Sequence, residues 1–193
     1  MRVSRPVMPR VVFCVEGRSE REYLDALRRV RYDDRIAFHY WSRGSKSSLR
    51  NLVEECQRRR NRGEDPGEGL WIVGDTDENV VHRSQLESWL TSDELMHHAA
   101  LTDPCLELWL LLHYTDPARA RDAHRAEAEL RHHLPGYRKG HALPDSLIER
   151  TDEAMARMHG RVGPGQADSL WPGPRVSQLP ALIGWLDQLV RVR

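Results

Sequence analysis

The sequence predicts an α/β protein with a mostly parallel sheet, flanked by helices and followed by further helices at the C-terminal end. Short apolar runs alternate with helical stretches through the first half of the chain, as in successive strand–helix–strand units with right-handed crossovers. The runs 11–15 and 70–73 are apolar on both faces, which is typical of strands buried inside such a sheet. An acidic residue follows each run, directly after the first run at Glu16 and after one glycine in the second at Asp75.

The run 11–15 is the predicted central strand, and a helix is predicted after it from Ser19 to about Arg31. Ser19 and Glu22 have the spacing of a capping box, and apolar residues recur at helical intervals behind them. The other elements predicted around the sheet are strands at 36–41, 70–73 and 96–101 and helices at about 47–60 and 85–90.

The second half of the chain is predicted to be helical. The apolar run 105–114 contains Glu107 and His113 and is shorter than the about 18 residues that a membrane span requires. It therefore favours a buried helix over a membrane segment. The helices predicted in this half lie at 105–114, 118–133, 146–158 and 176–190.

Composition narrows the class of protein. The 193 residues carry 29 basic and 29 acidic side chains, so no overall field indicates nucleic acid, although charges can still segregate locally. The three cysteines have no metal-binding spacing and favour a reducing compartment. Neither a signal peptide nor a membrane span is evident. We expect a soluble cytoplasmic protein that does not associate with a membrane.

Acidic residues follow both buried strands. Glu16 precedes Gly17 at a predicted strand-to-helix turn, where glycine permits a close approach and the helix N-terminus favours an anion. Asp75 and Asp77 follow the strand at 70–73. Taken singly, a Glu-Gly pair is more often a solvent-facing strand end, and the aspartates are equally an ordinary turn that caps the next helix. Together, on adjacent parallel strands, they predict a site for Mg²⁺ or Mn²⁺.

Three further acids are candidates for the same site. Glu20 lies one helical turn beyond Glu16, and Glu78 follows Asp77; each is either a ligand of a second metal ion or a solvated acid. Glu107 lies in an apolar run, where an unpaired buried carboxylate would cost several kcal/mol. An arginine or a metal ion is therefore expected beside Glu107.

Four segments resemble the RloB-like family, a group with a toprim-type domain found in bacterial and archaeal defence and restriction loci. The segment 16–20 is similar to the family's E-G-x-T-E, 75–77 to its D-x-D, and 137–139 to its Y-x-K. The most distinctive match is 102–114, which is similar to S-N-P-C-F-E-x-W-L-L-L-H-F. Two positions there depart from the family pattern: Asp103 replaces asparagine and Leu106 replaces phenylalanine.

The resemblance implies one domain, with a toprim core in 1–101 and a helical extension in 102–193 packed on it. Toprim domains cleave or join phosphodiesters with Mg²⁺ held by acidic residues. Carried over, Glu16 becomes a general acid or base and a metal residue, and Asp75 and Asp77 become metal ligands. Lys139 becomes a stabiliser of transition-state charge. Glu20 becomes an additional metal residue and Glu107 an auxiliary metal or network residue. Glu78 is an auxiliary candidate through its position after Asp77 alone.

The predicted function is a Mg²⁺- or Mn²⁺-dependent nuclease in antiphage defence, with RNA such as tRNA favoured slightly over DNA by analogy. One alternative is a regulatory component, without turnover of its own, that acts through a partner ATPase of a defence complex. Another is a module that binds a nucleotide through the same metal ion. A homo-oligomer is compatible with each of these functions.

Overall fold

A parallel sheet forms the centre of the protein. The structure, a computed structural model, describes residues 8–41, 47–76, 80–117, 122–162 and 169–192. Within them the sheet has four strands in the order β2-β1-β3-β4, and all three pairings are parallel. The predicted α/β class and the interior position of the first strand are therefore confirmed. The strands are β1 (Arg10–Val15), β2 (Ala37–Tyr40), β3 (Leu70–Asp75) and β4 (His97–Thr102).

Helices cover both faces of the sheet. None of those in the described residues is long and apolar enough to cross a bilayer. A short 3₁₀ turn, Val80–His82, precedes the third helix. The helices are α1 (Arg18–Arg31), α2 (Leu49–Asn61), α3 (Arg83–Ser92), α4 (Leu106–Leu112), α5 (Ala123–His133), α6 (Asp145–Ile148), α7 (Thr151–His159) and α8 (Leu179–Arg191).

Side chains of β1 alternate between two buried clusters because successive residues of a strand point to opposite faces. Phe13 and Val15 join the cluster that contains residues of α1, α4, α5, α7 and α8. Val12 and Cys14 join the cluster that contains residues of α2 and α3. Helices that follow the sheet in sequence thus share a core with β1, and β1 is buried on both faces.

Three helix boundaries differ from the prediction. Asp122 caps α5 by accepting a hydrogen bond from the Arg125 N–H (2.9 Å), so that helix begins at 123; residues 118–121 lie outside the described part. The single helix predicted over 146–158 is two helices, α6 and α7, joined by a turn at 149–150. The last helix begins at Leu179 rather than 176, because Ser177 forms an antiparallel bridge with Thr102.

The start of α1 also differs from the prediction. The N-cap is Gly17, and Ser19 lies within the first helical turn. The Ser19 hydroxyl accepts a hydrogen bond from the N–H of Gly140 (2.9 Å) instead of capping its own helix. Glu22 pairs with Arg18 at 3.4 Å. The predicted capping box is therefore wrong, because a residue distant in sequence engages the serine.

Candidate functional site

The carboxyl ends of β1 and β3 bring two of the predicted acids together. The strands are adjacent and parallel, with Val15 opposite Val73, so Glu16 and Asp75 both lie at the same edge of the sheet. The Glu16 Oε2 atom accepts a hydrogen bond from the Asp75 backbone N–H at 2.8 Å. This contact fixes the Glu16 carboxylate against the end of β3.

Gly74 makes this contact possible. A Cβ atom at position 74 would lie 2.6 Å from Glu16 Oε2 and 3.1 Å from Glu16 Cβ, far inside contact distance. A residue without a side chain is therefore required where the Glu16 carboxylate lies over β3. This role of Gly74 was not predicted from the sequence, although a glycine directly before a strand-end aspartate is a visible signal.

Asp75, the last residue of β3, is buried beside the start of α4. Its Oδ1 accepts a hydrogen bond from the Leu106 N–H at 2.8 Å, which links the end of β3 to the helix that carries Glu107. Burial raises the pKa of Asp75 well above its usual range, and the charges of Glu20, Glu16 and Glu107 raise it further. The Asp75 carboxylate therefore lies close to several other acidic side chains.

Glu20, on α1, belongs to the same group of acidic side chains. Only 5% of its surface is exposed, so it is not the solvated helix acid that the sequence left open. Burial, with added repulsion from Glu16 and Glu107, raises the pKa of Glu20 to about 7. The proximity of these carboxylates makes ionisation of Glu20 costly unless a cation is present.

Glu107 is buried and has two partners. The Tyr137 hydroxyl donates a hydrogen bond to its Oε1 at 2.6 Å, and the Lys139 Nζ lies 3.7 Å from the same oxygen. The expected partner of Glu107 was an arginine or a metal ion, and the side chains found beside it are a tyrosine and a lysine instead of the arginine. The Y-x-K segment thus supplies the partners of a buried acid in another segment.

Lys139 is placed by the loop at 136–141. Gly140 has a φ of 74°, which favours glycine, and a Cβ atom at this position would lie 3.4 Å from the Cβ of Arg18. Its N–H is bonded to Ser19, which attaches the loop to the start of α1. Burial lowers the pKa of Lys139, but Glu107, Asp75 and Glu20 outweigh it and the pKa is raised. The half-exposed ammonium therefore remains charged beside the acids.

Asp103 has a structural role next to these acids. Its Oδ1 accepts a hydrogen bond from the Thr76 hydroxyl (2.6 Å), and its Oδ2 accepts one from the Arg175 N–H (2.8 Å). An asparagine, which the family pattern has here, could also satisfy both groups by accepting from the N–H and donating to the hydroxyl. The departure from the family pattern is therefore accommodated by the same two partners.

The site as described contains four of the predicted acids and the predicted lysine. Asp77 and Glu78 lie outside the described residues. Leu106, the other departure from the family pattern, is buried in the core. The acids and the lysine that the structure brings together are Glu16, Glu20, Asp75, Glu107 and Lys139.

The donor chemistry of this site fits a hard divalent cation. Its acids are carboxylates, which are the ligands that Mg²⁺ and Mn²⁺ prefer. The raised pKa values of Glu20 and Asp75 reflect burial and mutual repulsion, and a bound cation offsets both. Among the described residues, however, no three acids, histidines or cysteines already form a metal-binding group. The fit therefore rests on the chemistry of the donors.

Fold and site define an α/β protein with a buried acidic cluster at the carboxyl edge of a parallel sheet. A family model described as RloB-like protein matches residues 11–162, so the chain belongs to the RloB-like family. The match includes all of β1 except its first residue, and it extends past the Tyr137–Lys139 loop. No curated protein and no solved structure matches the chain.

Proposed function

We propose that this chain is a Mg²⁺- or Mn²⁺-dependent nuclease that hydrolyses phosphodiester bonds in antiphage defence. The observation that carries the proposal is the convergence of Glu16, Glu20 and Asp75 beside the Glu107–Lys139 pair. A cluster of carboxylates with one adjacent ammonium suits a reaction at a phosphate group, because the cation faces the anion and the acids hold metal. RNA such as tRNA is the favoured substrate over DNA, by analogy alone.

The residues that would hold the metal are Asp75, Glu16 and Glu20, with Asp77 from beyond the described part. A bound divalent ion supplies charge neutralisation for the phosphodiester and for the leaving oxygen. Glu16 is held at its carboxylate by the Asp75 N–H, which orients it to take a proton from water or return one to the leaving oxygen.

Lys139 would contact the substrate. Its side chain is 55% exposed while its ammonium lies 3.7 Å from the buried Glu107, so it is both oriented and accessible. An ammonium in this position stabilises the negative charge that develops on the phosphate oxygens. Tyr137 and Glu107 are then positioning residues that hold the loop of Lys139 in place.

The test is cleavage of total tRNA, single-stranded RNA and plasmid DNA by the purified chain with Mg²⁺, Mn²⁺ or EDTA. The decisive variant is Asp75→Asn, which keeps an oxygen for the Leu106 N–H but removes the charge. We expect its cleavage to fall by roughly 100-fold or more, while its melting temperature is unchanged or higher because a buried charge is lost. The matched control is Asp187→Asn, at an acid paired with Arg31 and Tyr32 away from this site.

A second readout measures the metal directly. Mg²⁺ or Mn²⁺ should raise the melting temperature of the wild type and of Asp187→Asn, but not of Asp75→Asn. Metal stabilisation without cleavage of any substrate would overturn autonomous nuclease activity and favour a partner-activated component. Stabilisation that requires a nucleoside triphosphate together with the metal would favour a nucleotide-binding module. Cleavage that persists in Asp75→Asn would refute the assigned site.

A further inference from the structure

Two cysteines lie in contact where helix α2 packs on strand β1. The Sγ atoms of Cys14, on β1, and Cys56, on α2, are 3.1 Å apart. Both side chains are fully buried, and both are free thiols. A disulfide bond is about 2.05 Å long, so the sulfurs are separated by only about 1 Å more than a covalent bond. The third cysteine, Cys105, lies at the start of α4 in the other buried cluster.

We infer that Cys14 and Cys56 form a reversible intramolecular disulfide site that, when oxidised, clamps helix α2 to strand β1. The oxidant is a peroxide. One thiolate attacks the peroxide O–O bond to give a sulfenic acid and, with hydrogen peroxide, one water. The second thiol then displaces the hydroxyl from that sulfur, forming the S–S bond and releasing a second water.

The surroundings of the two cysteines determine how fast they are oxidised. Burial raises the pKa of Cys56 well above its usual range, and the adjacent Cys14 raises it further. The reactive thiolate is therefore scarce, and peroxide reaches the sulfurs only when α2 separates briefly from the sheet. We expect slow oxidation that accelerates at higher pH and with concentrations of urea that stay below the unfolding transition.

The disulfide would also affect the acidic site, because the N-terminal end of α2 contacts residues of that site. The Ser47 N–H, just before α2, donates a hydrogen bond to the Glu16 backbone carbonyl at 2.9 Å. The Leu49 side chain, at the start of α2, lies 3.3 Å from the position of a Cβ on Gly74. The N-terminal end of α2 thus supports both strand ends of the site, and the disulfide would restrain the helix that provides this support. The inference does not depend on nuclease activity.

The experiment is oxidation of the reduced, folded full-length chain with hydrogen peroxide, followed by alkylation and denaturation. The expected result is loss of two of the three thiols and a Cys14–Cys56 cross-linked peptide in non-reducing mass spectrometry. The bridge closes a span of 42 residues, so the melting temperature should rise by roughly 5 °C or more. Dithiothreitol should reverse both changes.

Matched variants identify the pair. Cys105→Ala should still form the bridge, whereas Cys14→Ala and Cys56→Ala should each retain two alkylatable thiols. The variants are compared by their thiol count as well as by their melting temperature, so destabilisation by a cavity does not obscure the result. Thiols that stay reduced until the chain unfolds would overturn the inference. Bridges to Cys105 that form as readily as the Cys14–Cys56 bridge would overturn it as well.

Discussion

The carboxylate of Glu16 is bonded to the backbone N–H of Asp75, 59 positions later in the chain, at 2.8 Å. The contact joins the turn after β1 to the last residue of β3. It sets the spacing between a candidate acid–base residue and a candidate metal ligand. Any change that separates these two residues should therefore alter the site before it alters the rest of the fold.

Gly74→Ala tests this relationship. The added methyl group would lie 2.6 Å from Glu16 Oε2, so the Glu16 side chain must move. We expect a loss of about 1–3 kcal/mol in the free energy of unfolding, as for other overpacked sites, and loss of any nuclease activity. Urea unfolding and the cleavage assay measure the two effects. Gly184→Ala is the control, because its Cβ meets nothing within 4 Å and alanine favours the helix. Equal stability of the two variants would contradict the prediction.

Tyr137→Phe tests the support of Glu107. The change removes the 2.6 Å hydrogen bond to a carboxylate that is 1% exposed. We expect a loss of about 1–3 kcal/mol in the free energy of unfolding, because a buried charged acceptor loses a donor. Tyr114→Phe, at a half-buried ring stacked on His133, should have a smaller effect.

A double-mutant cycle with Glu107→Gln assigns the Tyr137 effect to the pair. If hydroxyl and carboxylate interact directly, the two changes will not be additive, with a coupling energy of about 1 kcal/mol or more. Additive effects would mean that Tyr137 stabilises the loop through its ring alone.

Glu20→Gln tests the electrostatics of the cluster through pH. The pKa of Glu20 is about 7 in the folded protein, against an ordinary value of 4.5. Between these values the unfolded chain releases the proton and the folded protein retains it, so stability falls as the pH rises from 4.5 to 7. Gln cannot ionise, so we expect this variant to be more stable than the wild type at pH 8, by about 3 kcal/mol, and similar at pH 4.

Urea unfolding across this pH range measures the Glu20 difference. Glu22→Gln, on the same helix but more exposed, is the control. Added Mg²⁺ should reduce the difference at pH 8 if the ion binds among these acids. A constant difference between wild type and Glu20→Gln at all pH values would contradict the raised pKa.

His113 gives a pH dependence of the opposite sign. Burial lowers its pKa to about 4, against an ordinary value of 6.5. Below pH 6.5 the unfolded chain takes up a proton that the folded protein does not, so stability falls as the pH drops from 6.5 to 4. The loss across this window is about 3 kcal/mol. In His113→Phe the unfolding free energy should depend less on pH in this window, and the exposed His132→Gln is the control.

The sheet was predictable because its signals are local. After Arg10, strand β1 is a short run of five apolar residues, three of them valines, and such runs suit a strand buried on both faces whatever follows them. Helix starts were less predictable, because they depend on which side chain or backbone group takes the first N–H groups. Ser19 illustrates this: its hydroxyl is engaged by Gly140, more than 100 positions away.

For the site, the sequence determined which residues are available and at which strand ends or segments they lie. The sequence itself showed acids at the ends of two buried strands and an acid inside an apolar run. It also showed a lysine in the family's Y-x-K pattern. The sequence also required a partner for Glu107, because a buried charge must be compensated.

Only the tertiary structure decided how these residues meet. The pairing of Glu107 with Tyr137 and Lys139, the burial of Glu20, and the contact of Glu16 with Asp75 each join segments that are not neighbours in sequence. Such contacts depend on strand order and on how the C-terminal loops pack against α1, and no local propensity encodes either. Residue type and strand position were therefore local properties of the sequence, whereas the charge environment that gives the acids their chemistry arose from packing.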